Sequence, residues 1–299
     1  AVLQQYESGT PSWVSYEHIG LKARCENPHE AHLRAVLATV DVERIRACKF
    51  KVLLDSNRAS GSILGRQLLE DLGCDLTILG ETPDGEFEHS PEPTAENLEG
   101  VRKHITDIGA DIGFCQDPDA DRLAIIDADG RYIGEEYTVA LCVNHALSQQ
   151  KGPIVINCAT SRMSEDLAAK FGVPIHRSAV GEANVVDLML ETNAVFGGEG
   201  NGGPIDPRVG WVRDSFVGMA QTLDAMAATG KTVAELVDEI PSYEIVKTKI
   251  TVAKDKIPAA IDAIEQHFAD AASDRKDGLR LDWPNRWLLV RASNTEPIV

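Results

Sequence analysis

The chain has 299 residues, 43% of them apolar, 25% charged and only 5% aromatic, with a formal net charge of -18. This balance fits a soluble α/β protein, excludes disordered and fibrous classes, and without a compensating Lys/Arg block argues against a nucleic-acid partner. No apolar run approaches the roughly 18 residues of a membrane span, and six scattered cysteines without CxxC pairs fit free thiols in the cytoplasm.

After a polar lead-in, apolar positions at helical spacing predict a helix over residues 28–40. The short stretch 51–54 reads as a buried strand, 57–61 as a loop, 62–72 as a helix stopped by Gly73, and 74–79 as a second strand. Strand, helix and strand at this spacing form a βαβ unit, which implies a parallel sheet. Residues 81–92, rich in Pro, Gly and acids, read as a loop, 95–108 as an amphipathic helix and 110–115 as the next strand. The chain returns as a strand over 123–126, turns over 128–131 and continues as a helix over 135–149. At 150–152 the pattern restarts with strand 153–157, helix 161–171 stopped by Gly172, strand 174–177, helix 182–191 and strand 194–196. Helices over 214–228 and 233–240 precede a change of texture: Ile245, Lys247, Lys249 and Thr251 alternate, a helix follows over 257–271, and strands lie near Leu279 and Trp287.

The fold class is therefore α/β, with two similar α/β domains on mixed, largely parallel sheets and a smaller, truncated α+β C-terminal domain. Expected boundaries are 1–40 for the tail of an incomplete first domain, then 41–150, 151–242 and 243–299. A start without Met, and a stop at Pro297, Ile298 and Val299 that reads as the start of a strand or helix, suggest a segment of a longer protein.

Three loops concentrate chemistry. The first, 117–122, places carboxylates at alternate positions directly after a strand. Like charges this close repel unless a cation sits among them, so a hard divalent metal on Asp117, Asp119 and Asp121 is the economical account. Arg122 offers a planar fork of donors to a phosphate or carboxylate beside that metal. An EF-hand would need Gly in place of Arg122 and an acid in place of Ala128, whereas a haloacid-dehalogenase-type phosphatase with Asp117 as nucleophile stays open. A solvated acidic turn is the plain alternative.

The second loop, 197–203, surrounds Glu199 and Asn201 with glycines that let a ligand approach the backbone. A carboxylate beside an amide suits adjacent sugar hydroxyls, which want both acceptor and donor. A flexible hinge would have the same composition. In the third loop, Arg291, Ser293, Asn294 and Thr295 follow an apolar strand and make a phosphate-binding nest or, equally, a helix cap. His89, His104, His145, His176 and His267 share no spacing and read as structural or surface residues rather than catalytic ones. Arg213 and Asp214 either face a cleft or open a helix.

In order and spacing the three loops resemble those of the α-D-phosphohexomutase superfamily, the phosphoglucomutases, phosphomannomutases and phosphoglucosamine mutases, whose loops run DGDGDR, GExSGH and RxSxTEP. The resemblance implies a four-domain cleft in which Asp117, Asp119 and Asp121 hold Mg²⁺ and Arg122 positions a phosphoserine. Glu199 and Asn201 would contact sugar hydroxyls, Gly181 within 178–182 would belong to a further substrate loop, and Arg291, Ser293, Asn294 and Thr295 would hold the phosphate not being transferred. The implied reaction moves a phosphoryl group between the 1- and 6-positions of a hexose phosphate through a hexose bisphosphate. Asn201 in place of Ser, and Gly203 in place of His, tilt the likeness toward phosphoglucosamine-mutase-like members. No TASHNP-type serine loop occurs, so the nucleophile is expected to be absent and the chain inactive by itself. A Mg²⁺-dependent sugar phosphatase using Asp117 and a non-catalytic phosphosugar binder are the alternatives; oligomeric state is not indicated.

Overall fold

The computed structural model describes residues 2–9 and 12–292. A short helix α1 (Val2–Glu7) and a 3-10 turn at Tyr16–His18 lead in, with residues 12–28 exposed to solvent. Within the predicted helix 28–40 only α2 (Glu30–Leu37) is helical. A second helix, α3 (Val42–Cys48), follows at once, because Asp41 accepts a hydrogen bond from the Arg44 amide at 3.0 Å and so caps a new start.

The first sheet is built from β1 (Lys51–Asp55), α4 (Ser62–Asp71), β2 (Asp75–Leu79), α5 (Glu99–Ile108), β3 (Ile112–Gln116) and β4 (Leu123–Asp127). Its strand order is β2-β1-β3-β4, parallel except for β4, which turns back against β3. Successive side chains on a strand face opposite ways, and the packing follows that alternation. Val52 and Leu54 join the large core that includes α4, whereas Leu53 packs with Val101 and Ile105 of α5 on the other face. The strand residues are therefore apolar on both faces, as a covered parallel sheet requires.

Helix α6 (Glu135–Gln149) leads to a second sheet of the same plan. It comprises β5 (Ile154–Asn157), α7 (Met163–Phe171), β6 (Ile175–Ser178), α8 (Glu182–Thr192), β7 (Phe196–Glu199) and β8 (Gly203–Ile205), in the order β6-β5-β7-β8 with β8 antiparallel. Helices α9 (Ser215–Thr229) and α10 (Val233–Asp238) close the unit. Every residue of α9 from Ser215 to Met226 is buried, which marks a helix packed on all sides rather than on one stripe. It shares one core with Phe114 of the first sheet, Phe196 of the second and Val139 of α6. Each such buried side chain stabilises the fold by about 1.5–3 kcal/mol relative to exposure.

Residues 241–250 hold no regular structure despite the alternation of Ile245, Lys247 and Lys249. Helix α11 (Ile257–His267) ends four residues before the expected 271, and β9 (Ala272–Asp274) begins instead. With β10 (Leu279–Trp283) and β11 (Arg286–Val290) it forms an antiparallel sheet in the order β11-β10-β9. Ile257 and Ile261 of α11 pack on Leu279 and Leu281. Among the described residues no helix is long and apolar enough to cross a membrane.

One histidine pair gives the fold a pH signature. His89 Nε2 lies 2.8 Å from Asp55 Oδ2 at the buried end of β1, and its Nδ1 lies 2.8 Å from the Ser90 carbonyl. The hydrogen bond to Asp55 holds the imidazolium above its ordinary value, with burial opposing. A raised folded-state pKa contributes stability that is complete below the unfolded value of about 6.5 and is lost as pH rises through the folded value. Thermal unfolding midpoints measured from about pH 6 to pH 8 are therefore expected to fall less steeply in His89→Gln than in the wild type. Equal slopes would remove this pair as a source of the dependence.

Candidate active site

In an open α/β sheet, ligands sit beyond the carboxyl ends of strands where the order reverses. The first sheet reverses between β1 and β3, the second between β5 and β7. Asp117 follows β3 directly, and Glu199 is the last residue of β7. Topology thus delivers the acidic loop and the glycine-rich loop to equivalent places in two sheets that share a core.

The acidic loop is tightly shaped. Asp117 is 1% exposed; its Oδ1 accepts from the Arg122 amide at 3.0 Å and its Oδ2 from Arg122 Nε at 2.6 Å. Arg122 Nη1 reaches Glu92 at 2.8 Å. One carboxylate oxygen from each of Asp117, Asp119 and Asp121 lies within 4.8 Å of the others. Asp121 Oδ1 is buried with no hydrogen-bond partner among the described residues. Burial pushes the Asp121 carboxyl up to about 6; Arg213 opposes this, and Asp117 and Asp119 add to it. Nearby Glu135 is pushed up to about 7, chiefly by burial, with Arg122 opposing. A crowded set of hard oxygen donors with an orphaned buried oxygen fits a divalent cation.

The glycine-rich segment is corrected by the structure. Residues 196–199 and 203–205 are paired strands, and only 200–202 form the turn. Glycines in β7 depress strand propensity, but β5 and β8 on either side supply the ladder that imposes it. Glu199 is 3% exposed, and its Oε1 accepts from Asn157 Nδ2 at 2.6 Å and from the Gly181 amide at 2.9 Å. Gly181 and Glu199, which the sequence places in separate loops, are thus brought together. Asn201 donates its amide to the Glu199 carbonyl at 3.2 Å and turns its oxygen to Arg213 Nη1 at 2.8 Å, the orientation that satisfies both groups.

Arg213 joins the two loops. Its Nη2 donates to Asp121 Oδ2, its Nη1 lies 3.2 Å from Glu199 Oε2, and its backbone amide donates to Glu182 Oε2 at 2.8 Å. The sequence leaves Arg213 either facing a cleft or opening a helix, and the structure places it on the cleft; its partners, from loops far apart in the chain, are not announced. Asp214 does open the helix: it caps α9 by accepting from Phe216 and Val217 amides at 2.9 and 3.2 Å. It also takes His32 Nε2 at 2.6 Å. A cleft of about 530 Å³ opens beside these groups, lined by His29, His32, Asp119, Asp121, Glu182 and Arg213.

Arg291 of the third loop donates from Nε to Asp277 Oδ2 at 3.1 Å, and the same oxygen accepts from the Val180 amide at 2.9 Å. The arginine is therefore tied to the 178–182 loop that carries Gly181. Ser293, Asn294 and Thr295 lie outside the described residues.

Comparison with known proteins agrees with this layout. Residues 30–130 match the family model of phosphoglucomutase/phosphomannomutase alpha/beta/alpha domain II, and residues 135–243 match domain III. A phosphoglucomutase/phosphomannomutase of Thermococcus kodakarensis is 37% identical over 291 residues, covering 96% of this chain and 63% of that protein. A probable phosphoglucosamine mutase of Methanopyrus kandleri is 28% identical, over 99% of this chain and 66% of its own length. The chain thus spans about two thirds of the length of these relatives. The crystal structure of a phosphoglucomutase/phosphomannomutase family protein from Burkholderia thailandensis superposes with a TM-score of 0.75 at 27% identity, over 86% of this chain and 57% of that one. With both sheet units matched, and with the acidic and glycine-rich loops at the reversal points of those sheets, the chain belongs to the phosphoglucomutase/phosphomannomutase family.

Proposed function

We propose that this chain forms the cation-binding and sugar-binding walls of a phosphohexomutase that moves a phosphoryl group between the 1- and 6-positions of a hexose phosphate. One observation carries the reading: Glu199, anchored by Asn157 and Gly181, faces the same arginine that holds Asp121 of the acidic loop. A sugar hydroxyl and a phosphoryl group of one small substrate can be gripped at once only if those loops adjoin. Glucosamine phosphate is the favoured substrate, supported by the Glu199-Gly200-Asn201 turn and by relatives named phosphoglucosamine mutase, with glucose and mannose phosphates next. A related fold, the Aspergillus fumigatus N-acetylphosphoglucosamine mutase, was crystallised with GlcNAc-6P and magnesium.

In this reading Asp117, Asp119 and Asp121 hold Mg²⁺, which when bound neutralises charge developing on the transferred phosphoryl group. Arg122 is held by Asp117 and Glu92 through Nε and Nη1, which leaves Nη2, without a hydrogen bond among the described residues, to meet a phosphoryl oxygen. Glu199 accepts from sugar hydroxyls and Asn201 orients beside it. Arg291 and the residues after it grip the phosphate not being transferred, and Asp277 aims that arginine toward the Gly181 loop. A clamp that serves either end of the sugar lets the bisphosphate turn around between the two transfers.

A phosphatase reading fits less well. A nucleophilic Asp117 must free one oxygen for attack, yet both accept from Arg122, whereas a cation ligand can keep such a bond on its second lone pair. Titrating glucosamine 6-phosphate into the chain with Mg²⁺ present is expected to show binding that Glu199→Gln weakens about tenfold, near 1.4 kcal/mol. Since no serine loop of the family type stands in the sequence, binding without interconversion is expected. Steady phosphate release abolished by Asp117→Asn would replace the mutase reading with a phosphatase.

A further inference from the structure

We infer that Arg213 is a positioning residue that competes with the divalent cation for Asp121, and so ties the filling of the acidic loop to substrate binding beside Glu199 and Asn201. The inference rests on the reading just proposed for the acidic loop.

A single guanidinium here serves acceptors from three loops: Asp121 after β3, Glu182 at the start of α8, and Glu199 with Asn201 around the 200–202 turn. Its place is fixed from behind. The Arg213 amide is bonded to Glu182 at 2.8 Å, and the next residue is locked by capping α9 and by His32. The side chain is seated on Gly203, where a Cβ would stand 2.4 Å from Arg213 Cδ and 2.8 Å from Cγ. Any side chain at 203 would push the guanidinium from its seat.

Asp121 turns one oxygen to Arg213 and leaves the other buried without a hydrogen bond among the described residues, 3.7 Å from Arg122 Nε. The same carboxylate is one of the three oxygen donors that converge for a cation. With Arg122 neutralising Asp117, Arg213 is the counter-charge hydrogen-bonded to Asp121 when no metal is bound, and a metal must share or displace it. Once Asp121 turns to the metal, Nη2 is released while Nη1 keeps its grip on Glu199 and Asn201. The freed donor then faces the cleft, where a substrate oxygen can take it. Cation binding and sugar binding are coupled through this one group, and such coupling must be reciprocal.

Isothermal titration calorimetry with MgCl₂ alone tests this on the whole chain. Arg213→Gln is expected to bind Mg²⁺ about tenfold more tightly than the wild type, within the usual range of coupling between sites. Gly203→Ala keeps every charge but unseats the guanidinium, so it separates contact with Asp121 from simple charge repulsion and is expected to tighten binding in the same direction. A residue needed only for folding would weaken binding or leave it alone, so unchanged or weaker affinity in both variants overturns the inference. Asp119→Asn addresses the underlying reading: it is expected to weaken Mg²⁺ more than tenfold, and Mg²⁺ binding that survives it unchanged places the cation elsewhere and overturns both.

Discussion

Gly202→Ala is expected to destabilise the protein by about 3 kcal/mol and to remove sugar-phosphate binding with it. Gly202 adopts φ +88°, where an L side chain is strained by about 1–2 kcal/mol. An added Cβ would also stand 2.5 Å from the Leu123 carbonyl oxygen and 3.0 Å from its nitrogen, so backbone must move, which costs a further 1–3 kcal/mol or so. That backbone is the start of β4, and the Leu123 amide donates to the Gly202 carbonyl at 2.9 Å. The glycine turn is therefore fastened to the strand that closes the acidic loop, and a substitution that pries them apart separates Glu199 from Asp121. Gly109→Ala is the control: its φ is +64° but nothing lies within 4 Å, so only the conformational part is expected. Urea unfolding of the two variants, with equal losses, would show that the fastening contributes nothing.

The second large effect is expected at Asp224, which is fully buried in α9. Arg44 of α3 reaches it at 2.6 Å, His145 of α6 at 2.9 Å and Gln149 at 3.3 Å. Burial pushes its carboxyl up, but hydrogen bonds from His145 and Arg44 outweigh that and hold it below its ordinary value. Asp224→Ala strands an arginine and a histidine around an empty acceptor, and losing one partner of a buried ionic network costs about 3–5 kcal/mol. The midpoint in urea should drop with little change in slope. A carboxylate held low contributes stability present above its unfolded pKa and lost as pH falls through the folded value, so the variant should approach the wild type in acid. A loss under about 1 kcal/mol at neutral pH would mean that the three helices do not depend on this group.

The sequence and the structure agree where a pattern is local. The runs 52–54 and 123–126 are apolar and bounded by polar residues, and β1 and β4 lie there. The acidic loop is legible because its carboxylates alternate within six residues. Elements that depend on distant partners were not legible. β8 reads as Gly-Pro-Ile and becomes a strand only because β7 pairs with it; α3 is missed for a different reason, being only seven residues long and started by the local Asp41 cap. Arg213 repeats the case of β8 at the site, since nothing near it in the chain announces Asp121, Glu182 or Glu199. Glu199 was legible as a residue but not as the end of a strand, because glycine frequency suggested a loose segment where the sheet makes a rigid one.

Ala120 carries the last consequence. It sits at φ +60°, the left-handed region that alanine disfavours, inside the acidic loop. What holds it there is Ser215 at the head of α9, whose hydroxyl donates to the Ala120 carbonyl at 2.5 Å while its own oxygen takes Gln116 Nε2 at 2.7 Å. The curvature that gathers the carboxylates is thus shared between bonds inside the loop, from Arg122 to Asp117, and a helix of the neighbouring unit that the six residues do not contain. Grafted onto another strand without α9, the Asp117 to Arg122 hexapeptide should relax, and its carboxylates should disperse.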